Sequence, residues 1–504
     1  MSPAVDTPVQ PESPKHRPQS SSAYFPLGYK DAAYQWWHSV TPRMAERNVL
    51  SMIPYLKENV DDLAAATAPV TLPQAHGMTN QHEPDPFGTR IWRQSHVQLS
   101  GKNRILNEVC VERQDEEVQE TLVMVHGYGA GLGFFFKNFE PITRVPGLRL
   151  YALDMLGMGN SSRPAFKIHS RGREEKIEEA ESWFIDALEE WRKARKIERF
   201  TLLGHSLGGY LAVSYALKYP GHLKKLILAS PVGIPEDPFA VDSSLPEPAE
   251  STVQNEFTQD QQTTTTTGLK HHVPMKNKSQ HGIAPEGQEK RQEQPPPPPP
   301  PPSAPKRSIP SWAAWLWDAN VSPFSIVRCA GPLGPRFVSG WSSRRFNHLP
   351  PDEAQALHEY SFSIFRQKGS GEYALAYILA PGAYARRPVI HRIHQVGRQP
   401  LPQQSAATIG TPRKETGIPI VFMYGENDWM DIAGGLAAEQ KLEEAKTRAL
   451  LHATDEEKRN ENGAVRVMVI PKAGHHLYLD NPDEFNEIMR KEMEETKAEG
   501  KRAR

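Results

Sequence analysis

Six short apolar runs punctuate an otherwise polar chain, at residues 121–125, 148–153, 200–203, 225–228, 418–424 and 465–470. Each is about the length of a strand and too continuous to leave one face in water, so they are predicted to be strands buried on both faces, as in a parallel sheet. Helical spacing appears between several of them. Trp183, Phe184, Ala187, Leu188 and Trp191 recur at that period within a charged stretch, predicting an amphipathic helix that ends before Phe200. Residues 210–218 are predicted to form a helix directly after the third run. Strands alternating with helices imply an α/β fold with a mostly parallel, doubly wound sheet. From about residue 309 to residue 392 the pattern changes to helical pieces rich in Trp, Phe, Tyr and Pro with no clear strand, which is the pattern of a helical lid inserted into the α/β domain.

Composition divides the 504 residues further. Residues 1–25 are rich in Pro, Ser and Gln and are predicted to be a disordered tail. Residues 242–308 hold a threonine run at 263–267 and a proline run at 295–302, a low-complexity insertion unable to bury enough apolar surface to offset its ordering entropy. A solvated spacer is the expectation there, with a polyproline ligand for an aromatic groove as the alternative. The core then comprises residues 26–241 and 393–493, and residues 494–504 form a charged tail. Lys and Arg number 59 against 60 Asp and Glu, a net charge of −1 with the basic residues scattered, which argues against nucleic-acid binding. No apolar stretch reaches the roughly 18 residues of a bilayer span, and no secretory signal opens the chain. A membrane, if one is involved, is expected to be touched at its surface. Cys110 and Cys329 are too few for a disulfide framework and lack metal-ligand spacing, which favours a reducing compartment and leaves at most one bridge open. Neither a metal nor a cofactor is expected.

The chemistry concentrates after the third run. Gly204-His205-Ser206-Leu207-Gly208 between a strand and a helix has the form of a nucleophile elbow, in which glycines flank a serine on a sharp turn because a Cβ beside it would collide with the adjoining strand and helix. A serine hydroxyl becomes nucleophilic only when a base takes its proton, and a carboxylate must hold that base in one tautomer. On this topology the partners follow in the order serine, acid, histidine. The acid is expected on the loop after residues 418–424, where Asp428 is the first candidate and Asp431 its competitor. The histidine is expected after the last strand, at His475 rather than His476. An oxyanion needs two backbone N–H donors. One is assigned to Leu207, and the other to Tyr128 in the glycine-rich His126–Gly131 turn, with Gly129 as the alternative. That turn lacks the spacing of a phosphate-cradling loop. Tryptophans at 36, 37, 312, 315 and 317 are candidates for a lipid surface or for burial. The Phe134–Phe136 run suits an acyl pocket or the core, and Arg386 and Arg387 suit a lipid phosphate or ordinary surface positions.

With these residues in place, the chain resembles the α/β-hydrolase superfamily. Within it the resemblance is to the family that holds N-acylphosphatidylethanolamine lipase, the lipid-droplet lipase co-activator, fungal cardiolipin-specific deacylases and lysophosphatidate acyltransferase-like proteins. It covers roughly residues 36–493 outside the low-complexity insertion. The residues that carry it are His126-Gly127-Tyr128-Gly129-Ala130-Gly131-Leu132-Gly133, Asp154-Met155-Leu156-Gly157-Met158-Gly159-Asn160-Ser161-Ser162-Arg163-Pro164, the elbow, Ala330-Gly331-Pro332-Leu333-Gly334, and His475-His476-Leu477-Tyr478-Leu479-Asp480-Asn481-Pro482. Tyr424-Gly425-x-x-Asp428-Trp429-Met430-Asp431 looks most like the fungal deacylase branch. The co-activator has asparagine where this chain has Ser206, so the resemblance implies a competent hydrolase. It also implies a phospholipid substrate, a peripheral membrane surface and a mitochondrial site, with cytoplasm or the lipid-droplet surface as alternatives. His475 with Asp480 matches a motif read in the family as an acyltransferase signature, while Asp480 suits a helix start equally well. The implied activity is a cardiolipin deacylase of phospholipase A type. An acyl-CoA-dependent lysophosphatidic acid acyltransferase and a non-catalytic lipid-surface scaffold are the rivals.

Overall fold

The structure, a computed structural model, describes residues 25–58, 85–236, 317, 319–381, 383–401 and 413–502. The expected insertion at 242–308, Trp312 and Trp315, and all but the last residue of the tail at 1–25 lie outside the described residues. A nine-stranded sheet in the order β1-β2-β3-β5-β4-β6-β7-β8-β9 organises the rest. Its strands are β1 Lys57–Glu58, β2 Arg90–Gln98, β3 Ile105–Arg113, β4 Glu120–Val125, β5 Leu148–Leu153, β6 Phe200–His205, β7 Leu223–Ala229, β8 Ile420–Gly425 and β9 Val465–Ile470. The strands from β5 to β9 in that order are parallel, whereas β3 runs antiparallel to both β2 and β5. Every apolar run of the sequence overlaps one of the parallel strands, the run at 418–424 beginning two residues before β8. In β4 through β8 nearly every side chain is buried, while β9, at the sheet edge, is partly exposed along most of its length.

The β2–β3 pair was absent from the apolar pattern because polar residues interrupt it. Asn107 and Glu108 are buried in β3, and each has its partners: Glu108 accepts from Ser95 Oγ at 2.6 Å and Trp191 Nε1 at 2.6 Å, and Arg195 lies against it. A satisfied buried carboxylate is tolerated in a strand, and in sequence it looks like an exposed one. The nucleophile helix is longer than the predicted 210–218, starting at Leu207. The amphipathic helix spans Arg173–Ala194 and buries Phe184, Ala187, Leu188 and Trp191 as its spacing predicted.

Between β7 and β8 the described residues form helices Phe324–Cys329, Gly334–Arg345, Pro351–Phe365 and Leu375–Ile378. Two helices from before the sheet, Tyr29–Trp37 and Pro42–Leu50, pack against them. The residues 494–504 expected as a tail are instead helical to Arg502, as the end of helix Pro482–Arg502, with Thr496 buried. That helix receives the buried ammonium of Lys225 on Glu492 at 2.7 Å. Cys110 is buried and Cys329 exposed, both as thiols, so the open possibility of a bridge is not realised.

A buried polar hub joins the two layers. Glu46, from helix Pro42–Leu50, accepts from Asn107 Nδ2 at 2.8 Å and meets the Tyr360 hydroxyl at 3.0 Å. The same Asn107 amide reaches Asp154 Oδ2 at 2.8 Å, and Asp154 also accepts from the N–H groups of Leu132 and Asn160, both at 2.7 Å. Burial first, and then the nearby Asp154 charge, push the Glu46 carboxyl up to about 8. A folded-state pKa above the unfolded one means the native protein binds the extra proton, so stability is lost as pH rises from the carboxylate range through about 8. Glu46→Gln reproduces the protonated form. Its melting temperature is expected to match the wild type near pH 5 and to exceed it increasingly toward pH 9, measured by thermal unfolding across pH; a difference that does not widen with pH would sink the idea.

Candidate active site

β6 delivers Ser206 at φ 53° and ψ −118°, a left-handed conformation that non-glycine residues rarely hold. The turn closes on itself tightly. A Cβ on Gly204 would lie 2.3 Å from the Gly208 carbonyl oxygen, and one on Gly208 would lie 2.6 Å from the His126 carbonyl oxygen. Both positions therefore require glycine. Ser206 N–H is held by the Ala229 carbonyl at the end of β7, at 3.0 Å.

His475 follows β9, and its Nε2 stands 3.0 Å from Ser206 Oγ. Its Nδ1 stands 3.1 Å from Asp428 Oδ1, on the loop after β8. All three groups are buried. With Nδ1–H donated to the carboxylate, the Nε2 lone pair faces the serine hydroxyl, the tautomer that proton abstraction requires. Burial alone would raise the Asp428 pKa, but the His475 charge and hydrogen bond, the Ser230 hydroxyl and the Met430 N–H outweigh it and hold the carboxyl below its ordinary value. Asp428 is thus ionised at neutral pH.

Asp431 has a different task. Its side chain caps helix Ile432–Leu451 by accepting from Ala433 N–H at 2.8 Å, and it is exposed. His476 is half-buried with its ring 6.2 Å from that of Phe134, and desolvation drives its pKa well down. Asp480 accepts from Gly474 N–H at 2.9 Å and from Arg345 at 3.2 Å. It ties the loop bearing His475 to helix Gly334–Arg345.

Gly127 presses on the serine: a Cβ there would be 2.9 Å from Ser206 Cβ. The turn is oriented by His126, which donates from Nδ1 to the Gly127 carbonyl at 2.7 Å and accepts from Met155 N–H at 3.1 Å. Tyr128 follows, buried, with Phe324 stacked at 5.3 Å and Phe365 on Phe324 at 4.5 Å. A small cavity beside this turn is lined by Tyr128, Gly129, Met158, Arg163, Phe324 and Phe365. Leu207 begins the helix immediately after the serine.

Phe134, Phe135 and Phe136 are core residues, the first packed against Phe346 and Tyr360. Trp317 is buried, whereas Trp36 and Trp37 are exposed. Arg386 is engaged with the Ala376 carbonyl at 2.8 Å. Two contributors escaped the sequence reading. His205, inside the elbow, donates from Nε2 to the His475 carbonyl at 2.9 Å, and Ser230 donates to Asp428 Oδ2. The only signal for Ser230 was a polar residue at the carboxyl end of a buried strand. Among the described residues no cluster of metal-ligating side chains occurs.

Residues 120–275 match the family model described as alpha/beta hydrolase fold. The chain is 31% identical over 408 residues to a 1-acylglycerol-3-phosphate O-acyltransferase of Arabidopsis thaliana, covering 80% of this chain and 72% of that protein. It is 28% identical over 397 residues to the (Lyso)-N-acylphosphatidylethanolamine lipase of Homo sapiens, covering 78% of this chain and 84% of that one.

The two carboxylates of the β8 loop are expected to separate cleanly in kinetics. Asp428→Asn should lower turnover of a soluble short-chain ester by about 10²–10⁴-fold, because the amide favours the wrong histidine tautomer. Asp431→Asn should leave it within about twofold, since asparagine caps a helix as well as aspartate. The reverse ranking would place the wrong carboxylate behind His475.

Proposed function

The chain belongs to the α/β-hydrolase family, and from that premise we propose that it is a serine hydrolase that deacylates glycerophospholipids, acting as a phospholipase A-type deacylase on cardiolipin. The observation that carries the reading is the buried chain Ser206 Oγ, His475 Nε2, His475 Nδ1, Asp428 Oδ1, with links of 3.0 and 3.1 Å. Both similar proteins named above handle acyl groups on glycerophospholipids by name, which supports the substrate class. Cardiolipin as the headgroup rests on the resemblance of residues 424–431 to the fungal deacylases.

In this mechanism Ser206 Oγ attacks the ester carbonyl carbon as His475 Nε2 takes its proton, and Asp428 stabilises the imidazolium. The negative oxygen is received by the N–H groups of Tyr128 and Leu207. His475 returns the proton to the departing lysolipid oxygen, leaving an acyl ester on Ser206. Water, deprotonated by His475, then attacks that ester and releases the fatty acid. A lysophosphatidate hydroxyl in place of water would transfer the acyl group instead. This second reading is favoured by the name of the Arabidopsis relative and by the His475–Asp480 spacing, with acyl-CoA as donor.

Product identity separates the readings. Pure protein incubated with cardiolipin, with and without acyl-CoA and lysophosphatidate, is expected to release free fatty acid and lysocardiolipin, and Ser206→Ala should abolish both turnover and labelling by a fluorophosphonate. Acylated product with no free fatty acid would establish the transferase, and an unlabelled, inert wild type the scaffold.

The substrate has to leave a lipid surface, and no helix among the described residues is long and apolar enough to cross a membrane. Trp36 and Trp37 are 38% and 76% exposed on helix Tyr29–Trp37. Burying one large apolar side chain contributes about 1.5–3 kcal/mol, so Trp36→Ala with Trp37→Ala should weaken vesicle binding at least about tenfold while sparing a soluble ester. Co-sedimentation beside the two assays checks this, and parallel loss of both activities would make these tryptophans structural.

A further inference from the structure

The residue after β7 breaks two rules at once. Ser230 is a fully buried polar side chain, and it sits at φ 44°, in the left-handed region that favours glycine. Strain of this kind persists only where the surroundings over-determine it. Here they do. Ser230 N–H donates to the Met423 carbonyl of β8 at 2.7 Å, and its hydroxyl donates to Asp428 Oδ2. On either side of it, the Ala229 carbonyl accepts from Ser206 N–H at 3.0 Å and Val232 N–H donates to the Ser206 carbonyl at 3.3 Å. Residues 229–232 therefore grip the backbone of the nucleophile turn and the side chain of the acid together.

We propose that Ser230 is a positioning residue for the reaction, its hydroxyl locking the Asp428 carboxylate so that Oδ1 is presented to His475 while the same turn fixes the height of Ser206. The inference rests on the proposed serine-hydrolase reading. An ionised carboxylate only accepts hydrogen bonds, so the single hydroxyl proton of Ser230 points at it. Oδ1 already takes Met430 N–H at 3.0 Å and His475 Nδ1–H at 3.1 Å. Oδ2 takes the Ser230 hydroxyl, with Gly425 N–H at a distant 3.5 Å. Without the hydroxyl a buried oxygen keeps only that long contact, and the carboxylate gains by turning toward other donors and away from the imidazole. The titratable groups facing Asp428 are His475 from the loop after β9 and Tyr424 from β8. Burial keeps the Tyr424 phenol protonated far above neutral pH.

Two substitutions divide the hydroxyl from the strain. Ser230→Gly removes the hydroxyl and relaxes the backbone, so the relieved strain offsets part of the lost hydrogen bond and the fold should be kept. Ser230→Ala removes the hydroxyl and keeps the strain. Both are expected to lower kcat for a soluble short-chain ester by about 10–100-fold with KM within about twofold, as loss of an interaction used in the transition state does. In an Asp428→Asn background Ser230→Gly should cost almost nothing more. The downfield proton NMR resonance of His475 Nδ1–H should shift or broaden in Ser230→Gly relative to wild type. Wild-type kcat and resonance in Ser230→Gly would overturn the proposal, and so would an equal loss in the presence and absence of the Asp428 carboxylate. A wild type that turns over no ester defeats the hydrolase reading instead, and the resonance then still reports whether Ser230 sets the Asp428–His475 contact.

Discussion

The arrangement depends on holding one serine in a backbone conformation that it would not adopt alone. Ser206 at φ 53° carries strain of about 1–3 kcal/mol, and it is retained because the chain around it leaves no alternative. β6 lies inside the sheet between β4 and β7, so the turn at its carboxyl end is pressed by Gly127 from one neighbour and hydrogen-bonded to Ala229 from the other. The parallel direction of β4, β6, β7, β8 and β9 brings five strand ends to the same edge. Each contributes one element there: the His126–Gly127 turn, Ser206, Ser230, Asp428 and His475. A parallel sheet gathers loops from distant sequence at one edge because each crossover returns the chain to the same end.

The helices between β7 and β8 are placed by a second, polar constraint. Asp154 accepts from Leu132 in the loop after β4, from Asn160 in its own loop and from Asn107 in β3, and Asn107 passes on to Glu46, which meets Tyr360 of helix Pro351–Phe365. The loop after β4 and helix Pro351–Phe365 are therefore members of one buried network. Such a network is favourable only when every member is satisfied, and a protonated Glu46 is what allows two carboxyl groups to share it. Asp480 makes a second tie between layers, with Arg345 on one side and the Gly474–His475 loop on the other. The helical layer is thereby tied to the loop that bears the histidine.

Local residue patterns were sufficient for several elements. The six apolar runs became the six parallel strands because burial on both faces demands continuous apolar sequence. The glycines at 204 and 208 marked the serine turn, since only the absence of a Cβ permits contacts of 2.3 and 2.6 Å to carbonyl oxygens. Chain order put serine, acid and histidine on the loops after β6, β8 and β9, which the structure brings within 3.0 and 3.1 Å of one another. The β2–β3 pair was hidden, because Asn107 and Glu108 look like surface residues until distant partners such as Asp154 and Trp191, 47 and 83 positions away, are known. Tryptophan composition was equally silent about place: Trp317 is buried and Trp37 exposed.

What the sequence by itself determined is therefore whatever a residue imposes on its immediate neighbours: hydrophobic period, glycine-dependent turns, and the succession of strand ends that carry polar side chains. Tertiary structure alone decided between groups that satisfy the same local rule. Asp428 and Asp431 both follow β8, but a helix starting at Ile432 takes the second as its cap and leaves the first for His475. Ser230 became part of the site only because β7 and β8 are adjacent, which puts its hydroxyl against a carboxylate that lies 198 positions further along the chain. Hydrogen bonds depend on distance in space and carry no signature of sequence separation, so the sequence could name the chemistry available at each loop while the packing of the sheet chose which groups meet.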